Sequence, residues 1–151
     1  MPLEFPLQVV LDYRDRLVDA LEIEMSCLLN ARQRAQDLLD ALKGELANLY
    51  NELRCSQTGD LDLVKIGQLR ANIEYVDDFI ARQEGKIARL DQQIEAKRQE
   101  LIKARQDEEM LEILKEKAIE AYEEDQKLKE SRAQDDIYIT SHYQKLVKEK
   151  E

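Results

Sequence analysis

The chain has 151 residues, of which 43% are hydrophobic and 37% charged, with no Trp, two Phe and six Tyr. That balance is lean for a compact globule and starves a β-sheet of aromatic material, so it favours long solvated helices. The net charge of -10 excludes a general nucleic-acid binder, because phosphate contacts need clustered Lys and Arg.

The one short basic stretch, Lys97, Arg98, Lys103 and Arg105, is flanked by Glu95, Glu100 and Asp107 to Glu109 and reads as a solvated helix face. Met1 to Pro6 lacks the charged and apolar regions of a signal peptide. No apolar run approaches the ~18 residues of a membrane span, so the chain is expected to remain in the cytosol. Cys27 and Cys55 fall on one expected helix, about 42 Å apart at ~1.5 Å per residue, too far for an intrachain disulfide.

Pro occurs only at positions 2 and 6, so nothing after Leu7 forbids helix. Pro6 suits a first helical turn, and Phe5 is expected to pack back on Val9 or Val10 as a hydrophobic staple. Helix one is expected over about 6–55. Every seventh residue from Leu7 reads Leu7, Arg14, Leu21, Leu28, Ala35, Leu42 and Leu49. Four residues on, the series reads Leu11, Val18, Met25, Arg32, Leu39, Leu46 and Leu53. Twelve of these fourteen are apolar, and a seam of period 3.5 sustained over seven repeats predicts a coiled coil rather than a globular helix.

The pattern stops at Cys55-Ser-Gln-Thr-Gly-Asp60, with the loop expected over 56–60. There Gly59 can take positive φ and Asp60 can cap the next helix. A second seam carries Ile66, Ile73, Ile80, Ile87, Ile94 and Leu101, with Leu69, Val76, Gln83, Leu90, Lys97 and Ala104 three residues later. Two stripes joined by so short a turn must run antiparallel. The fold class expected is therefore all-α: one domain, a two-helix antiparallel coiled coil whose second helix, about 61–147, overhangs the first and is unpaired beyond about 112. Gly67 and Gly85, each costing about 1 kcal/mol in a helix, are read as surface variation in preference to marks of a partner's close approach or a bend.

Asp107, Glu108 and Glu109 occupy the next expected seam turn, and the apolar stripe is expected to resume in a shifted frame at Leu111, Leu114, Ala118, Ala121 and Leu128. Residues 107–136 hold twelve acidic and five basic side chains, so a helix with this little to bury should fray, self-associate or find a partner. Ile137 to Tyr143, β-branched and aromatic after the acidic stretch, reads either as a second contact patch or as a frayed end.

Catalytic chemistry has few candidates. His142 is the only histidine and sits beside Thr140, Ser141 and Tyr143 with no orienting partner in view. Gly44, Gly67 and Gly85 are isolated rather than clustered as in a phosphate loop, and no His/Cys cluster offers a metal site. No cofactor is expected and no enzyme.

Phe5-Pro-Leu-Gln-Val-Val-Leu-Asp-Tyr-Arg14 resembles the opening of flagellar FliJ proteins and their type III secretion stalk relatives, and the long helix, polar loop and longer helix resemble them across nearly the whole chain. The resemblance implies a non-enzymatic stalk and coupling component of a protein export apparatus. Its partners would be a hexameric export ATPase, an export gate protein and export chaperones, with the membrane met only through them. Carried over, the ATPase end would be Leu7, Val10, Leu11 and Arg14 with Leu111, Leu114, Ala118 and Tyr122. The gate side, on the half nearer the loop, would be Leu42, Leu46, Leu49, Leu53, Val76, Phe79 and Gln83. The alternative is a structural scaffold that dimerises through the C-terminal overhang. A holdase is disfavoured, because narrow seams leave little accessible apolar area for clients.

Overall fold

Two long heptad series without a proline favour helix throughout, and the computed structural model, which describes residues 3–150, is built of two helices. Helix α1 spans Gln8–Ser56 and helix α2 spans Leu63–Glu149, and there is no strand among the described residues. Contacts divide the chain into two units, Leu17–Lys103 and the pairing of Met1–Arg16 with Ala104–Glu151.

Within Leu17–Lys103 the two helices run antiparallel. Glu24 meets Lys97, Arg32 meets Asp91 and Lys43 meets Glu84, so the partner number falls as the position on α1 rises. Val18, Leu21, Ala35 and Leu39 from α1 are buried against Leu69, Ile73, Val76, Ile80, Ile87, Ile94 and Leu101 from α2. All of them lie on the two seams expected from the sequence. Ala35, Leu39, Val76, Ile80 and Ile87 form the centre, and Leu42, Leu46, Leu49 and Leu90 pack on its edge.

Polar residues interrupt the seam, and each finds a partner. Arg32 donates to the Asp91 carboxylate at 2.6 Å. Lys97 donates to Glu24 at 2.6 Å and to Glu100 at 3.2 Å. Gln83 donates to the Ala35 carbonyl oxygen at 3.0 Å. On the outer surface, Gln33 to Asp37 and Gln36 to Asp40 form i,i+4 hydrogen bonds that support helix locally.

At the loop, Gly59 has a φ of 83°, the left-handed conformation that glycine adopts at no steric cost. The Thr58 hydroxyl donates to the Cys55 carbonyl at 2.8 Å and closes the end of α1. The cap of α2 is Asp62, which accepts from the amides of Val64 at 3.1 Å and Lys65 at 3.2 Å. The sequence pointed to Asp60 instead. Because α2 starts at Leu63, only the residue directly before it can reach the open amides of the first turn.

In the other unit, Leu11 and Ala104 are buried, and Arg14 donates to Asp107 at 3.4 Å. α1 begins two residues later than expected, at Gln8, whose amide donates to the Phe5 carbonyl. Of the two expected staple partners, Val9 is 76% exposed and Val10 41% exposed. Phe5 is half-buried and lines a recess with Leu3, Glu4, Gln8 and Lys115, so the non-helical start covers one further turn of α2.

The expected frame shift after Ala104 is absent. Glu108, Leu111, Lys115, Ala118 and Tyr122 are half-covered and keep the alternating three- and four-residue spacing that follows Leu101 and Ala104, with Asp107 beside them and Gln126 one turn further also half-covered. Leu114, Ala121 and Leu128 are exposed. A continuing helix presents the same heptad positions whatever stands there, so Glu108 and Lys115 occupy them with their side chains half-covered. Residues 127–150 are exposed throughout. No helix among the described residues is long and apolar enough to cross a membrane.

Candidate interaction surfaces

A seam buries the positions facing the partner helix and leaves the flanking positions half-covered, so contact surfaces on a two-helix pair form along its edges. In Leu17–Lys103 one edge opens into a groove of about 470 Å³ lined by Leu42, Glu45, Leu49, Asn72, Tyr75, Val76 and Phe79. The Tyr75 and Phe79 rings, one turn apart on α2, approach to 6.2 Å between centroids at 41°. Tyr75 is 69% exposed and Phe79 38% exposed, an aromatic area that isolated helices seldom leave to water.

Of the loop-half residues singled out from the sequence, Leu42, Leu49, Val76 and Phe79 come together in this groove. Val76 contributes only its edge, being buried in the seam. Leu46 is turned toward the core, and Leu53 is half-buried near the loop. Gln83 is buried and engaged with Ala35, so it serves the helix pair and offers no surface. Sequence reasoning missed Tyr75, Glu45 and Asn72. The signal available was Tyr75-x-x-x-Phe79, two of the chain's eight Phe and Tyr at helical spacing.

In the unit of Met1–Arg16 with Ala104–Glu151, Leu7, Val10 and Leu114 are exposed, while Leu111, Ala118 and Tyr122 are half-covered. Leu11 is buried and holds α1 on α2. Arg14 is half-buried in its pair with Asp107 and lies 6.0 Å from the centroid of the Tyr13 ring. Asp15, Glu108 and Glu112 bring carboxylate oxygens within 4.8 Å of one another where the two acidic helix faces meet.

The polar recess at the loop is lined by Asn51, Glu52, Cys55, Ser56, Thr58, Asp60, Asp62 and Lys65, several of which already close or cap the helices. Cys27 and Cys55 are free and exposed. His142 stacks on Tyr138 at 6.3 Å and 4°, on the exposed end of α2. Among the titratable groups, the Lys97 ammonium is held above its ordinary range, first by its hydrogen bond to Glu24 and then by that to Glu100.

A family model described as "Flagellar FliJ protein" matches residues 3–146. No significant match exists to a curated protein or to a solved structure.

Proposed function

Because the chain belongs to the flagellar FliJ family and is thereby a component of the flagellar export apparatus, we propose that it is the stalk and coupling element between a hexameric export ATPase and the export gate. The observation that most supports this reading is the groove, in which four residues assigned to the gate by resemblance, Phe79 among them, lie beside the exposed Tyr75 ring. An apolar groove carrying exposed aromatic rings fits a protein partner better than bulk water.

The ATPase contact falls to the other unit, through the exposed Leu7, Val10 and Leu114 beside Arg14. Leu11, though carried over with them, acts by holding that surface together. The contacts are made in the cytoplasm, and export chaperones are further partners of the same surfaces.

Addition of the purified chain should raise ATP hydrolysis by the cognate hexameric ATPase. Replacing Leu7, Val10 and Leu114 by Ala should remove that stimulation while leaving gate binding intact. Unchanged hydrolysis together with no binding to the ring would reject the proposal.

A second reading rests on the C-terminal part of α2, where Ile137, Tyr138, Ile139, Tyr143, Leu146 and Val147 are exposed. A scaffold that dimerises through this segment would sediment as a dimer and become monomeric on removal of residues 113–151. The stalk reading expects a monomer in both cases.

A further inference from the structure

The groove between Leu42 and Phe79 contains a polar pair that the helix hairpin leaves unanswered. Glu45 stands between Leu42 and Leu49 on the α1 wall, one turn from each, and Asn72 stands on the α2 wall. Neither side chain has a hydrogen bond or an ion pair among the described residues. While the groove is open, water serves both groups. An apolar occupant closing over them would strip that water without replacing it, a cost comparable to what its own burial supplies. A carboxylate and an amide oxygen can both accept from one cation, whereas a second carboxylate would be repelled by Glu45.

The walls also limit the backbone of the occupant. Both sides are α-helices whose amides and carbonyls are bonded within the helix, so no open strand edge is available for an added strand. Leu42, Glu45 and Leu49 are spaced three and four residues apart over about 10 Å at ~1.5 Å per residue. A helix laid in the groove matches that spacing with apolar side chains at i and i+7 and a cation at i+3 or i+4.

We infer that the groove receives an amphipathic helix of the partner whose two apolar anchors flank a Lys or Arg, and that Glu45 with Asn72 receives this cation. The inference rests on the reading of the groove as the gate surface and adds to it the chemistry of the segment that enters. Glu45 sets specificity, since apolar helices without the central cation would leave the polar pair covered and unpaired.

The test uses the full chain and the cytoplasmic region of the cognate export gate, with affinity measured calorimetrically at low and high salt. Circular dichroism checks each variant's helix content, which Glu45 substitutions should preserve because the site is exposed. Phe79→Ala should weaken binding by about tenfold or more, and Glu45→Lys by a similar factor. Glu45→Gln should weaken it less and flatten its salt dependence. A charge reversal of one Lys or Arg in the gate segment should restore affinity to the Glu45→Lys variant. Loss of binding with Phe79→Ala but not with Glu45→Lys would overturn the cation assignment and leave the gate surface standing. Undiminished binding in both variants would overturn the inference together with the gate reading.

Discussion

Gln83 donates its side-chain amide to the backbone carbonyl oxygen of Ala35 across the helix pair at 3.0 Å, in the middle of an otherwise apolar stretch of seam. The Ala35 carbonyl belongs to an unbroken turn of α1, so it does not depend on Gln83 for its helical bond. What Gln83 gains is a partner for its own buried amide, and only this register supplies one. Gln83→Leu should therefore leave stability unchanged or raise it by about 1 kcal/mol, since an apolar side chain replaces a buried polar one. Gln83→Glu should lower it by about 2 kcal/mol at neutral pH, because a carboxylate would face a carbonyl oxygen with no donor. Burial raises the folded-state pKa of that carboxyl, so the deficit is full above the raised pKa and shrinks as pH falls through it. Urea denaturation at neutral and acid pH checks both variants.

Burial separates an isoleucine of the seam from one beyond it. Ile80 sits in the centre of the core cluster, whereas Ile139 is 64% exposed near the end of α2. Ile80→Ala should cost about 2–4 kcal/mol through lost burial and the cavity left behind. Ile139→Ala should leave the denaturation midpoint unchanged.

The four glycines divide in the same way. An added Cβ at Gly44, Gly67 or Gly85 meets nothing within 4 Å. Each Ala substitution there should stabilise its helix by about 0.5–1 kcal/mol. At Gly59, with φ at 83°, Ala should instead cost about 1 kcal/mol. Thermal melts of the four single variants test the opposite signs.

Lys97 should make stability fall in strong alkali. Its folded-state pKa lies above the ordinary value of 10.5, raised chiefly by Glu24 and then by Glu100. A raised pKa means that the contribution is complete below the unfolded value and is lost as pH rises through the folded one. Lys97→Met should remove this component, so the wild-type chain should lose more stability than the variant as pH rises past the ordinary value of 10.5. A parallel pH dependence in the two proteins would show that the two glutamates do not hold the ammonium.

The sequence by itself determined the two helices, the place of the turn between them and the two seams from which the buried residues are drawn. A period of 3.5 in side-chain type is a local property, and every buried residue lies on one of the two heptad seams. The short loop then forces the antiparallel pairing seen from Glu24 with Lys97 to Lys43 with Glu84. Local patterns did not reach the choice of Asp62 over Asp60 as cap, which turns on a helix start two residues later than expected. Nor did they reach the placement of Phe5 beside Lys115, or the unshifted frame that carries Glu108 and Lys115 in half-covered positions. Only the tertiary structure decided the groove. Tyr75 and Phe79 on α2 and Leu42, Glu45 and Leu49 on α1 are distant in sequence, and they meet only once register and rotation of both helices are set by the core between them.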